Sequence, residues 1–400
     1  MATQRQIEAG RKGREASLKF ENEFVEDVQK EFGPRAAIMA AESTEGKNVN
    51  YPSTISEKTG HKSKPDVLVF YNGLSDFMPA ARELQKIYDS EVGIKPKKRC
   101  FSKSPELLYV LQNRENWSAP SLKNPKDGTT EIQMQVTSLS NLFAALAGRF
   151  RTPISMDAYR ALELWIGVGK TPKSDGAQIL VEDHRKQCEN NLVDYDRLTS
   201  EERRRGRLCS STLPSDKFDS LVDLLSNNKD FLHALATVVF SEGITKLKEI
   251  ERHPELRADF MVWKPKDSSK YTVFFIEDVV NAVVRSEPVI NETTVYLGPL
   301  QFQKKGSGAG SAYNNIQFNA SLDGRKAGLL RYVTPVAVCD SAEEAYLKMK
   351  EHAQGFGRWS ELSRKMELHR QSRPKTNAEK LHKRSKELKR KYYEALKVRA

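Results

Sequence analysis

Between residues 14 and 32, Leu18, Val25, Val28 and Phe32 recur at helical spacing with charged residues between them, and Gly33-Pro34 follows. That pattern predicts an amphipathic helix that stops at the glycine. A short apolar run spans 36–41, and the polar stretch 42–65 predicts a loop. Asp66-Val67-Leu68-Val69-Phe70-Tyr71 is a continuous β-prone run, turned at Asn72-Gly73. A helix is expected over 77–88, then a loop-rich stretch over 89–129 with a short helix near 105–112. In Glu131-Ile132-Gln133-Met134-Gln135-Val136 polar and apolar residues alternate, so the polar three share one face of a strand. A helix over 140–149 follows.

The middle of the chain carries helical spacing over 156–166, 199–207, 218–225 and 229–240. Thr199 with Glu202, and Ser341 with Glu344, have the spacing of capping boxes. Strand patterns return at 271–276, 293–303, 313–322 and 329–338, and a helix is expected over 341–352. From 374 onward the chain predicts a charged helical extension. No internal repeat is visible. This order predicts a mixed α/β (α+β) architecture in four parts: a core over 1–150, a helical insert over 151–255, a β-rich region over 256–357 and a basic tail over 358–400.

Charge changes this picture only modestly. Lys and Arg total 65 against 53 Asp and Glu, a formal +12. A basic balance suits a polyanionic partner. Residues 371–400, however, hold eleven basic and three acidic side chains, a net +8, so most of the surplus sits in the tail. The four cysteines, Cys100, Cys188, Cys209 and Cys339, are too scattered for a zinc knuckle and suit a reducing cytoplasm. The polar N-terminus lacks the apolar core of a signal peptide, and no apolar run approaches the roughly 20 residues that cross a bilayer, so no membrane partner is expected.

The candidate chemistry begins at Asp66. Pro65 belongs at a strand's start because it cannot donate to a ladder, and an Asp just inside a buried strand must be paired, capped or metal-bound. Nuclease centres built on two strands use this arrangement, with Mg²⁺ held between carboxylates on neighbouring strands. A plain strand cap is the other reading. For the second strand, Glu131 and Gln133 are candidates as part of the polar edge of 131–136, with Asp66 and Glu131 as metal ligands. Gln303-Lys304-Lys305-Gly306 then leads through a glycine-rich turn to Asn314-Asn315-Ile316-Gln317. Such a basic hairpin suits DNA, since Lys meets phosphates and guanine while Asn and Gln amides pair with adenine in the major groove. Gln303, Lys304, Lys305, Asn314, Asn315 and Gln317 are the expected contacts. A mobile surface hairpin is the alternative. Gly167-Val168-Gly169-Lys170-Thr171 is a poor P-loop, because Leu164 stands where the first glycine belongs.

Two stretches, about a quarter of the chain, resemble type II restriction endonucleases with a PD-(D/E)XK core. The segment Leu297-Gly298-Pro299-Leu300-Gln301-Phe302-Gln303-Lys304-Lys305-Gly306, with Gly310 and Asn315-Ile316-Gln317-Phe318, is similar to their C-terminal strand pair. The helix over 14–32 followed by Lys64-Pro65-Asp66 is similar to the start of their core. The resemblance implies a restriction-endonuclease-like core sheet flanked by helices. It also implies Mg²⁺-dependent cleavage of double-stranded DNA at a short sequence, as restriction of foreign DNA, with a homodimer suited to palindromic sites. No (D/E)-x-Lys strand stands close after Asp66: Pro96 interrupts the lysine-rich 92–98. Glu131-x-Gln133 is a variant with Gln for Lys, and Gln303-x-Lys305 keeps the lysine and loses the acid. A non-catalytic nucleic-acid-binding protein, using the basic hairpin and tail, is the alternative class.

Overall fold

In the computed structural model, residues 4–34, 36–39, 65–71, 117–139, 142, 143, 146, 152, 154–166, 185, 188, 189, 192, 194–197, 215–243, 258–290, 294–304 and 315–356 are described. The expected helices at 77–88, 105–112 and 199–207, the segment 167–171, the turn 305–314 and the tail lie outside them.

The first helix, α1 (Gln4–Phe32), buries Phe20, Phe24, Val25 and Val28, a stripe at i, i+4, i+5 and i+8. Its face is thus rotated from the predicted one: Leu18 is only half-buried and Phe32 is exposed at the helix end, where its ring stacks on Tyr346. Gly33 ends the helix at φ 92°, donating its N–H to Gln29 O at 2.8 Å. A left-handed residue after the last turn is the usual role of glycine there.

The chain then enters β1 (Ala37–Met39), which pairs antiparallel with β2 (Val67–Phe70). All four residues of β2 are buried, which is why its sequence is a continuous apolar run rather than an alternation. β2 pairs antiparallel with β3 (Trp117–Ser118). After Ala119 the chain continues as β4 (Pro120–Lys123), which leaves the first sheet and pairs parallel with β6 (Phe260–Trp263). Asp259 fixes this change of partner: its carboxylate accepts the Ala119 N–H at 2.7 Å, and its own N–H donates to Ala119 O at 3.3 Å. β6 pairs with β7 (Tyr271–Phe275), and β7 with β12 (Ala337–Cys339), giving the order β12-β7-β6-β4.

A separate five-stranded antiparallel sheet has the order β5-β11-β10-β9-β8. Its strands are β5 (Ile132–Ser138), β8 (Pro288–Ile290), β9 (Thr294–Leu297), β10 (Leu300–Lys304) and β11 (Asn315–Ala320). The expected strand at 293–303 is therefore a hairpin, turned at Gly298 with φ 56°. Its apolar face, including Val295, Phe302 and Phe318, joins a core with α2 (Met156–Ile166), α3 (Ser215–Ser226), α4 (Lys229–Thr237) and α5 (Ile276–Arg285). Leu139, Leu142, Phe143 and Leu146 are helical and buried in the same core. The second core lies between α1, the sheet strands β2, β6 and β7, and α7 (Ala342–Phe356).

The architecture is mixed α+β, with helices and three sheets. Strands from 1–150 and from 256–357 share two of those sheets, through the β4–β6 and β5–β11 ladders, so the two segments interleave in space. Two further differences have local causes. Ile276–Arg285 carries Ile276, Val279, Val280 and Val283 on one buried helical stripe, but its β-branched residues follow a strand directly and mask the switch of period. Leu329–Tyr332, expected as strand, is the short helix α6, with Arg331 N–H bonded to Gly328 O at 3.1 Å. At α7 half of the expected capping box forms: Ser341 Oγ accepts the Glu344 N–H at 3.2 Å, while the Glu344 carboxylate accepts from Asp340 rather than Ser341.

Candidate active site

Asp66 stands at the seam where β2 meets β4. Its N–H donates to Pro120 O at 3.0 Å, which extends the pairing one residue beyond the strand. Its Oδ2 then accepts three donors from the neighbouring strand: Leu122 N–H at 2.7 Å, Ser121 Oγ at 3.0 Å and Lys123 Nζ at 3.2 Å. Lys123 also donates to Ser121 Oγ at 2.7 Å and to Leu122 O at 2.9 Å. Ser121 and Lys123 are two residues apart on a strand and so share a face. The Lys123 side chain is 13% exposed and that of Asp66 26%. The ion pair is thus largely withdrawn from solvent yet open on one side, where a ligand can reach it.

Glu21, on α1, belongs to the same group. Burial, and then the negative charge of Asp66, push its carboxyl up to about 8, while Lys123 pulls it down. The site therefore carries two carboxylates against one ammonium, and near neutral pH the surplus negative charge is met by a proton on Glu21. A divalent cation held by Glu21 and Asp66 would meet the same surplus. An all-oxygen donor set of this kind suits Mg²⁺, a hard cation that keeps several waters. Among the described residues no group of three or more His, Cys, Asp or Glu side chains is placed to hold a metal, so Glu21 and Asp66 are the two carboxylates available here.

The other expected site residues lie elsewhere. Glu131 precedes β5, on a different sheet from both β2 and β4. Its Oε2 accepts from Gln301 Nε2 at 2.7 Å and from Asn319 Nδ2 at 3.3 Å. Gln133 is exposed on β5 opposite Asn319. The structure thus joins Asp66 to Ser121 and Lys123, and joins Glu131 to the amides of the five-stranded sheet. Gln303 and Gln317 face each other across the β10–β11 ladder, both half-buried, and the Gln317 amide donates to Asn319 Oδ1 at 2.9 Å. Lys304 and Asn315 close the same hairpin as strand residues. Lys305 and Asn314 lie outside the described residues.

Sequence reasoning misses Ser121, Lys123 and Glu21. The one available signal is the spacing Ser121-x-Lys123, which keeps the lysine of (D/E)-x-Lys and replaces the acid. It lies in a stretch with no alternation, because the whole of β3 and all of β4 before Lys123 are buried. Glu21 is one of several acids on α1, and only its burial and its charge interaction with Asp66 distinguish it.

No protein-family model matches this chain, and no curated protein matches it significantly. Among the described residues no helix is long and apolar enough to cross a membrane.

Proposed function

We propose that the chain is a divalent-cation-dependent endonuclease of double-stranded DNA, with Glu21, Asp66, Ser121 and Lys123 as its reacting centre. The observation that carries this reading is the convergence of Ser121, Leu122 and Lys123 on one oxygen of Asp66. The strand order around the site supports a restriction-endonuclease-like core. A helix precedes the antiparallel run β1-β2-β3, the chain continues into β4, and after β5 and α2 to α4 it returns as β6, parallel to β4.

The residues divide the work of phosphodiester hydrolysis. Asp66 and Glu21 would hold the cation, which would supply Lewis-acid polarisation for the phosphate and the attacking water. Glu21 must shed its proton to do so, so cation affinity rises with pH up to about 8. Lys123 Nζ presents positive charge where a phosphoryl oxygen gains negative charge as water adds and the bond to the sugar oxygen breaks. Ser121 Oγ accepts from Lys123 and donates to Asp66, and so fixes both groups. Gln303, Lys304, Lys305, Asn314, Asn315 and Gln317 are proposed as contacts to the duplex, with a homodimer suited to two-fold sites.

Incubation of the full chain with a long duplex and Mg²⁺ tests this. Discrete fragments are expected from the wild type, and none from Asp66→Ala or Lys123→Ala that still bind the duplex. Cleavage by Asp66→Ala at the wild-type rate sinks the centre. Salt-sensitive duplex binding without cleavage under any divalent cation favours the non-catalytic alternative.

A further inference from the structure

The five-stranded sheet is two-faced. Val295, Leu297, Leu300, Phe302, Ile316 and Phe318 enter the core. On the other face the ladder register lines up Tyr296, Gln301, Asn319 and Gln133 in one row across four strands, with Thr294, Gln303 and Gln317 in the next. Three of these side chains are linked to Glu131 by hydrogen bonds. Gln317 Nε2 donates to Asn319 Oδ1 at 2.9 Å, and Asn319 Nδ2 donates to Glu131 Oε2 at 3.3 Å. Gln301 Nε2 reaches that same oxygen from the other side at 2.7 Å. Gln301 and Asn319 are buried, whereas Glu131 at the end of the series is exposed. Glu131 also raises the pKa of Tyr296, after burial of the phenol, and Lys326 lies over the Tyr296 ring at 5.5 Å.

Two buried amides thus hold an exposed carboxylate in a fixed position, and both donate to the same oxygen. Neutral amides orient Glu131 without cancelling its charge. A fixed anion is ill suited to phosphates and well suited to an amino group. On a face that meets duplex DNA, the base edge that offers only a donor in the major groove is the N4 amino group of cytosine. Amides of the adjoining rows suit adenine. Position agrees with this use. Glu131 lies eight residues after Lys123. At about 3.3–3.6 Å per extended residue that connection spans at most about 29 Å. With a rise of about 3.4 Å per base pair along the duplex axis, this is within about nine base steps. A carboxylate at that remove from the reacting centre lies within one short recognition site.

We propose that the Glu131 end of this face reads base edges in the major groove of duplex DNA, with Glu131 selecting a cytosine through its N4 amino group. The proposal rests on the nuclease reading for its duplex. It moves Glu131 from the chemistry to specificity.

A binding selection from a randomised duplex pool, followed by cleavage of the selected duplexes with Mg²⁺, tests it on the full chain. The wild type is expected to select at least one fixed cytosine. Glu131→Ala is expected to lose preference at that position by roughly ten- to a hundred-fold, as one base contact allows. It should still cut duplexes of the broadened set. Glu131→Gln keeps an oxygen for the Gln301 amide and guards against unfolding of the alanine variant. It is expected to weaken the same preference, with an unchanged melting temperature. Unaltered selection by a folded Glu131→Gln and Glu131→Ala overturns the proposal and leaves the nuclease reading standing. Intact selection with loss of all cleavage also overturns it, returning Glu131 to the chemistry. Sequence-selective binding by a wild type that cuts nothing under Mg²⁺ or Mn²⁺ sinks the nuclease reading alone. No duplex binding sinks both.

Discussion

Two carboxylates organise two regions of this molecule, and they are held in opposite ways. At the seam of β2 and β4, Asp66 takes a lysine, a serine hydroxyl and a backbone N–H on one oxygen, and its charge, after burial, helps push the Glu21 carboxyl up to about 8. On the five-stranded sheet, Glu131 takes two neutral amides and stays exposed. The first arrangement concentrates charges of both signs in a place half withdrawn from water, where they act strongly on one another. The second leaves one charge oriented by neutral amides at a surface. Charge brought together suits chemistry on a phosphate, and charge held alone suits recognition of a donor.

The largest effect that can break this comparison is at Lys123. Lys123→Ala is expected to slow duplex cleavage by about 10²–10³, a loss like that of other groups aimed at developing charge. Single-turnover cleavage measures it. If Glu131→Ala slows cleavage as much while Lys123→Ala does not, the two regions have been assigned the wrong way round.

Next comes the support beneath the second region. Phe302, on the buried face of β10, lies 5.7 Å from the Trp165 ring and 5.6 Å from that of Phe318. Phe302→Ala should destabilise the fold by about 3–5 kcal/mol, read by denaturant unfolding. A loss below about 1 kcal/mol means that the sheet is not seated on that core.

Glu21 sharpens the account of the first region. Its carboxyl titrates at about 8 in the folded chain against an ordinary 4.5. Between those values the folded state holds a proton that the unfolded state has lost, so stability falls as pH rises from about 4.5 to about 8 and levels off above. Glu21→Gln should remove that slope and make the protein more stable than wild type at pH 9 while abolishing cleavage. Identical slopes in melting temperature against pH for the two proteins count against the burial and charge described here. Mg²⁺ should flatten the wild-type slope and leave the variant's unchanged.

The smallest effect is a control. Lys270 and Asp340 form a lysine–carboxylate pair like Lys123 and Asp66, but both side chains are more than half exposed. Lys270→Ala should leave cleavage unchanged and the melting temperature barely moved, because water already screens such a pair. A large drop there implies that the seam's setting is not what makes its pair different.

Much of the frame is legible in the order of residues. Pro65-Asp66 at the head of an apolar run marks both a strand and a carboxylate needing partners, and Lys123 is among the partners the seam supplies. The alternation over 131–136 marks a strand with a polar face, and β5 has that face. The partner strand of Asp66 is not legible. Alternation reveals a strand only when one face meets solvent, and Trp117-Ser118 and Pro120-Ser121-Leu122 are buried throughout. By pattern alone the nearest alternating strand is the one at 131–136, which points to Glu131 as the partner in place of Ser121 and Lys123.

What the sequence determined by itself was local. It held the apolar period of α1, the break at Gly33, the head of β2 at Asp66 and the polar edge of β5, because each follows from the preferences of a few adjacent residues. The tertiary structure decided which local pieces meet. Lys123 reaches Asp66 because β4 leaves β3 at Ala119, held by Asp259, to pair with Phe260–Trp263 more than a hundred residues later. Glu131 meets Gln301 and Asn319 because the β10–β11 hairpin pairs with β5 across a similar gap. Such contacts cost chain entropy that no local residue preference records, and burial of the two cores offsets it.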